Sequence, residues 1–229
     1  MKKRFLFLAF VSIAICGHAQ DLVRFYQHGK VGYKNNQNEI VVNPTYEAGS
    51  EFKDGLAIVV SGNKRGYINS AGKEFIPLQY DDAGMFVGGL ACVKFGGKYG
   101  YINQKAEWVI QPIYDEAYSF TGTMARVQKA GKWGFINLRG EVVIPLKYDH
   151  AHDFSMGLAA VSENGKFGYI SEKGQTVIAL QYDAAAAFTK DNHAVISFKG
   201  ENFLIDRTGA DQRDRQRPCR RQLRRHHHR

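Results

Sequence analysis

The stretch GKWGFINLRGEVVIPLKYDHAHDF, residues 131–154, decides the fold because the rest of the chain repeats it. Its Tyr148 belongs to a column of tyrosines spaced 34 residues apart, and a phenylalanine lies six residues beyond each of them. The two columns are Tyr46, Tyr80, Tyr114, Tyr148 and Tyr182, and Phe52, Phe86, Phe120, Phe154 and Phe188. A fixed period of this length is typical of a repeat protein in which each unit packs on its neighbours.

Each unit begins with two strands joined by a tight turn. The fixed residues Ala125 and Val127 flank a variable residue, Arg126, and this alternation predicts a first strand with one buried face. Substitution in the variable column is expected to cost little. The pair Ala130-Gly131 suits a two-residue hairpin turn. A second strand follows at Lys132–Asn137, whose glycine predicts close packing between units.

A third apolar run, Val143-Ile144, completes the unit, and Pro145 is predicted to end the pairing of that strand. The connector at residues 114–120 has apolar residues three apart, which favours a helical turn or a compact loop over a strand. The predicted fold class is all-β, with tandem 34-residue repeats of three-stranded β-meanders in a solenoid-like array. A closed propeller-like ring is the alternative. The array is predicted over residues 20–209, as about five full units with partial units at both ends.

The two ends of the chain differ from the repeats. Residues 1–19 have the features of a secretory signal peptide, with basic residues at positions 2–4, an apolar run and a small-x-small site ending at Ala19. Lipidation at Cys16 is an alternative, because the preceding residues loosely resemble a lipobox. Residues 210–229 form an arginine-rich tail that is predicted to be disordered, because its composition can bury little apolar surface.

The formal net charge of +9 arises from these ends. Three basic residues lie within residues 1–19 and eight arginines lie in the tail, so the repeats are close to neutral. This balance argues against a nucleic-acid partner for the repeats. No stretch after residue 19 has the roughly 20 apolar residues of a membrane-spanning helix. We therefore expect an exported protein that is periplasmic, bound to the cell surface or secreted.

The segment at residues 131–149 resembles the bacterial WG repeat, a family named for its Trp-Gly pair. The resemblance rests on Trp133-Gly134, the turn at Gly140 and the pair Tyr148-Asp149, and similar segments cover about residues 22–209. It implies a mainly β array that is often exported or surface-associated, and it implies no catalytic residue. One departure is that the other units replace the tryptophan, so a ligand contact that requires the indole could not recur in each unit. The replacing residues are Val31, Arg65, Tyr99 and Phe167.

Two sets of residues raise the possibility of a metal site. A carboxylate follows each repeated tyrosine and could hold calcium at the repeat junctions, but no second constant oxygen ligand accompanies it, so a structural, turn-capping role is favoured. This column is Glu47, Asp81, Asp115, Asp149 and Asp183. His150 and His152, between Asp149 and Asp153, could bind zinc, but other units lack these histidines. We predict no metal and no cofactor.

Catalytic motifs are not evident. Cys92 is a free thiol at a variable position, and no nucleophile elbow or phosphate-binding glycine loop occurs. The aromatic residues Phe95, Trp108, Tyr118 and Trp133 could stack on a sugar or a peptide, although packing within the array is the favoured interpretation. We predict a non-catalytic binding or scaffolding module for a protein partner in the cell envelope, with a cell-wall or glycan-binding module as the alternative.

Overall fold

The computed structural model describes residues 22–212, so the predicted signal peptide, Cys16 and the arginines of the tail lie outside the described residues. Residues 22–212 form six antiparallel sheets that follow one another along the chain. This confirms the predicted all-β tandem-repeat fold. Within the same residues, no helix has the length and apolar character needed to cross a membrane.

A complete sheet contains a short strand and three longer strands in chain order, with the short and third strands at opposite edges. The short strands are β4 (Ala48–Gly49), β8 (Asp82–Ala83), β12 (Glu116–Ala117), β16 (His150–Ala151) and β20 (Ala184–Ala185). The first long strands are β1 (Val23–Gln27), β5 (Leu56–Ser61), β9 (Leu90–Phe95), β13 (Met124–Lys129), β17 (Leu158–Glu163) and β21 (His193–Phe198). The second long strands are β2 (Lys30–Lys34), β6 (Lys64–Asn69), β10 (Lys98–Asn103), β14 (Lys132–Asn137), β18 (Lys166–Ser171) and β22 (Glu201–Asp206). The third long strands are β3 (Ile40–Tyr46), β7 (Glu74–Tyr80), β11 (Trp108–Tyr114), β15 (Val142–Tyr148) and β19 (Thr176–Tyr182).

We number the sheets in chain order: sheet 1 (β1–β3), sheet 2 (β4–β7), sheet 3 (β8–β11), sheet 4 (β12–β15), sheet 5 (β16–β19) and sheet 6 (β20–β22). Extensive contacts between the described strands join strands of one sheet or of two consecutive sheets. Sheets 1 and 6 share no such contact within residues 22–212. The described residues therefore form a series of sheets in which each sheet makes its extensive contacts with its neighbours in sequence.

The short strand corrects the prediction for the connector. Residues 114–120 are predicted as a helical turn or a compact loop, but Glu116–Ala117 form β12 and pair with β13. The pairing begins where the N–H of Asp115 donates to the carbonyl of Gln128 at 2.9 Å. The local spacing of apolar residues cannot reveal a pairing partner that lies further along the chain, and this partner overrides the local preference.

The strand glycine that recurs in the repeats and the proline of the third strand are both explained by one β-bulge. Pro145 does not end the pairing of β15, because Tyr148 still pairs with Trp133 beyond a shift in register. Gly134 lies against this bulge, and a Cβ added there would be 2.6 Å from the carbonyl oxygen of Ile144 and 2.8 Å from the carbonyl carbon of Pro145. The glycine is therefore required for packing within one sheet, not between units as predicted. Proline is tolerated because a bulge on an edge strand needs no N–H donor.

Both faces of an interior sheet are buried, in contrast to the predicted strand with one buried face. In β9, Ala91 and Val93 pack in the layer between sheets 2 and 3, whereas Leu90 and Cys92 pack in the layer between sheets 3 and 4. The physical reason is that every interior sheet has a neighbour on each side. A column that varies in sequence can therefore still be buried.

The repeated phenylalanines join consecutive units through ring contacts. Phe120 packs on Tyr101 of the preceding sheet with ring centroids 5.0 Å apart, and Tyr101 donates its hydroxyl hydrogen to the carbonyl of Tyr118 at 2.7 Å. Four tyrosines make this hydroxyl bond, and burial raises their pKa, to about 12 at Tyr33. These four are Tyr33, Tyr67, Tyr101 and Tyr169. Phe135 takes the position in sheet 4 and packs on Phe154 without a hydroxyl group.

Candidate binding surfaces

The carboxylates that follow the repeated tyrosines clamp consecutive units together. Asp149 accepts a hydrogen bond from Nζ of Lys132 at 2.5 Å and another from the N–H of Asn164, in the next hairpin turn, at 2.7 Å. The bond from Lys132, followed by that from Asn164, holds the pKa of Asp149 below its ordinary value. Three equivalent aspartates have the same two kinds of partner and a lowered pKa. We name the set Asp81, Asp115, Asp149 and Asp183 the clamp aspartates.

The two histidines that suggested zinc lie in different environments. His150 stacks on Phe167, with ring centroids 6.1 Å apart and an interplanar angle of 16°. The side chain of His152 is exposed, and its pKa is lowered first by partial desolvation and then by the charge of Arg126. Asp153 pairs instead with Arg126. Among residues 22–212 no cluster of three or more metal-ligating side chains occurs.

Arg126 is not the freely variable surface residue that its column predicts. Its side chain is 18% exposed, and its Nη1 donates to the carbonyl of Ala151 in sheet 5 at 2.8 Å. Its Nε lies 2.8 Å from Oδ1 of Asp153, an ion-pair distance, although the N–H direction is poor for a hydrogen bond. The guanidinium carbon lies 3.6 Å from the ring centroid of Tyr118. Arg126 therefore joins sheets 4 and 5.

Variable positions of the repeat converge in two grooves at the short-strand edge. Groove 3/4, between sheets 3 and 4, has a volume of about 330 Å³, and groove 4/5, between sheets 4 and 5, has a volume of about 340 Å³. Five repeat positions line both grooves, and four of these positions hold different residues in the two grooves. Groove 3/4 is lined mainly by Asp82, Cys92, Tyr99, Glu116, Tyr118 and Ser119. Groove 4/5 is lined mainly by Arg126, Trp133, His150, His152, Ser162 and Phe167.

The other candidate residues from the sequence are divided between packing and groove positions. Trp108 packs on Tyr80 and Phe95 with ring centroids 6.1 and 6.2 Å apart, so it belongs to an aromatic cluster. Trp133 lines groove 4/5. Cys92 is buried, and burial raises the pKa of its thiol to about 12. A thiol with this pKa stays protonated at neutral pH and is a poor nucleophile.

A second repeated surface lies on the opposite edge of the sheets. At one repeat position, an apolar residue of each of four third strands is exposed by 42–46%, whereas the next residue of the strand is buried. We name these four residues the apolar stripe: Phe75, Val109, Val143 and Val177. The stripe is not among the sequence-based predictions, which give each third apolar run as a whole. Strict alternation does not identify it, because Val142 and Val143 are both exposed before the buried Ile144, and the register shift between the pairs of Val142 and Ile144 interrupts the period of two.

The structural neighbours of this all-β repeat fold are β-propeller-like repeat proteins. Solved structures of similar fold include a eukaryotic initiation factor, with a TM-score of 0.54 and 10% identity over 83% of this chain and 61% of that chain. Hsv2 from Kluyveromyces marxianus has a TM-score of 0.52 and 8% identity over 82% of this chain and 69% of its own. Kluyveromyces lactis Hsv2 has a TM-score of 0.50 and 10% identity over 90% of this chain and 77% of its own. These likenesses concern the fold alone.

The family is given by the sequence profile of the WG containing repeat. It matches five tandem segments, which cover most of the chain. These are residues 32–64, 66–99, 99–133, 133–167 and 167–201. The chain therefore belongs to the WG repeat family. No curated protein sequence matches it.

Proposed function

We propose that the protein is a non-catalytic binding or scaffolding module that is exported and binds a protein partner in the cell envelope through the apolar stripe. The observation that carries this proposal is the recurrence of one exposed apolar side chain at the same position in four consecutive units. An exposed apolar row on a protein surface is typical of an interaction site. Covering four side chains that are each almost half exposed would contribute about 3–5 kcal/mol.

The partner is expected to contact the stripe with its side chains, not by adding a strand. The four third strands that carry the stripe are edge strands, but a register shift interrupts each of them, and three contain a proline near the shift. These prolines are Pro77, Pro112 and Pro145. Bulges and prolines on an edge prevent another strand from pairing there. A partner with a complementary apolar surface fits this edge better than an extended peptide.

Two further observations support the proposal. The groups that could carry chemistry have structural roles. The clamp aspartates pair with lysines and backbone amides, and the Cys92 thiol is buried. Export is proposed from the sequence of residues 1–19, with lipidation at Cys16 as the alternative route to the cell surface.

The stripe can be tested by comparing variants in capture from an envelope extract. The Val109→Ser/Val143→Ser double variant should keep its melting temperature, because both positions are exposed, but should retain about tenfold less of the captured partner. The matched control is Met156→Ser, which changes an exposed apolar residue outside the stripe and should leave capture unchanged. Equal retention of the same protein by the wild type and the double variant would contradict the proposal.

A further inference from the structure

We propose that groove 4/5 binds one ring of a neutral saccharide, at a site on the edge opposite the apolar stripe. The groove lies between sheets 4 and 5, and its volume of about 340 Å³ is at the lower end of the range for small-molecule sites. That space holds a single six-membered ring with its substituents. It is too small for a helix or a folded loop of a protein.

The walls of the groove provide flat apolar surface. Trp133 and Phe167 come from the same repeat position in sheets 4 and 5, and His150 stacks on Phe167. A pyranose ring presents C–H groups on its faces, and these pack on aromatic rings through dispersion, while its hydroxyl groups point outward around the ring. The walls therefore suit the faces of a sugar ring.

Ser162 provides an independent observation that points to a ligand. Its side chain is 0% exposed and lines the groove, and its Oγ has no hydrogen-bond partner among the described residues. A buried hydroxyl group without a partner is destabilising and is rare in native proteins. A hydroxyl of the ligand, which can both donate and accept, would provide the missing bond.

The charges around the groove favour a neutral ligand over an anion. The guanidinium of Arg126 already bonds the carbonyl of Ala151 and pairs with Asp153, so its charge is compensated. Partial desolvation and the charge of Arg126 lower the pKa of His152, which favours its neutral form with one donor and one acceptor nitrogen. Such a set of donors and acceptors matches hydroxyl groups.

Groove 3/4 is the natural comparison because five of its lining residues occupy repeat positions that also line groove 4/5. Tyr99 replaces Trp133, and its hydroxyl donates to Oδ2 of Asp82 at 3.1 Å. Glu116 replaces His150 and adds a second carboxylate to this groove. The hydroxyl of Tyr99 is thus engaged by a carboxylate, so the proposal concerns groove 4/5 only.

The binding test uses the two tryptophans of the chain. In the Trp108→Phe variant, Trp133 is the one remaining tryptophan. Titration with neutral gluco-, manno- and chito-oligosaccharides should give a saturable change in its fluorescence emission. Calorimetry on the unmodified protein checks the same ligands without the substitution. We expect a dissociation constant of about 1 mM or below for at least one of them.

The variants then locate the site. Ser162→Ala should weaken saccharide binding about three- to tenfold without lowering the melting temperature, because it removes a buried hydroxyl that is unpaired in the free protein. Glu116→Ala, in groove 3/4, is the matched control and should leave binding unchanged. The Val109→Ser/Val143→Ser variant should also bind saccharide normally, which separates this test from that of the apolar stripe.

Three results would overturn the proposal. The first is no saturable signal with any of the neutral oligosaccharides at about 10 mM, well above the expected constant. The second is saccharide binding of equal strength in the wild type and the Ser162→Ala variant. The third is binding at this groove that is confined to anionic saccharides or to a protein segment.

Discussion

Replacing Gly134 by alanine tests the link between the strand glycine and the bulge of the third strand. A new Cβ would lie 2.6 Å from the carbonyl oxygen of Ile144 and 2.8 Å from the carbonyl carbon of Pro145, so backbone must move by several tenths of an ångström. Overpacking of this kind costs about 1–3 kcal/mol, and weakening one ladder hydrogen bond adds about 1 kcal/mol. The reduced entropy of the unfolded chain offsets about 0.5–1 kcal/mol. We expect a net loss of about 2–3 kcal/mol in the free energy of unfolding.

The assay is thermal and denaturant unfolding followed by circular dichroism. For a chain of this length the loss corresponds to a fall in melting temperature of about 5–10 °C. The control is Gly131→Ala, in a hairpin turn, where the φ angle is +74° and no atom lies within 4 Å of the added Cβ. That variant should lose about 1 kcal/mol, from backbone strain alone. A Gly134→Ala protein as stable as the wild type would refute the explanation of the bulge.

Three further predictions concern the contacts between units. Tyr101→Phe should lower the free energy of unfolding by about 1–2 kcal/mol, because the carbonyl of Tyr118 loses its hydrogen-bond donor. Phe135→Tyr should not lower it. Denaturant unfolding of both variants makes the comparison. The clamp aspartates have lowered pKa values in the folded protein, so their contribution to stability is complete above the ordinary value of 3.8 and is lost as the pH falls through the folded pKa values. Thermal melts at acid pH should show this loss of stability. The variant with all four clamp aspartates changed to asparagine should not show it. Arg126→Ala should cost about 1–3 kcal/mol in a thermal melt, whereas Arg139→Ala, at a side chain 78% exposed, should cost less than about 0.5 kcal/mol.

Local features of the fold could be predicted from one repeat. The second strand is predicted at Lys132–Asn137 and found at the same residues, because the signature provides both its alternation and its turns. The hairpin pair Ala130-Gly131 adopts the positive φ angles, 51° and 74°, that the sequence predicts for a tight turn. Such features depend on residues a few positions apart. They are therefore visible within a single unit.

Features that depend on a neighbouring unit could not be predicted in this way. The two-residue strand β12 forms because β13 offers a partner, and the burial of Arg126 follows from the position of sheet 5. The grooves bring together residues about 25 positions apart, such as Arg126 and Ala151, whose proximity no single repeat reveals. The apolar stripe could not be predicted from alternation either, since the register shift of the third strand leaves both Val142 and Val143 exposed beside the buried Ile144.

Site-specific photo-crosslinking in the cell envelope tests the central claim most directly. A benzophenone side chain would be placed at Val109 or Val143 in the stripe and, for comparison, at Met156, an exposed apolar residue outside the stripe. The account predicts that both stripe positions give the same crosslinked partner protein and that Met156 does not. Crosslinking to one protein from Met156 but from neither stripe position, or no crosslink from the stripe, would contradict it.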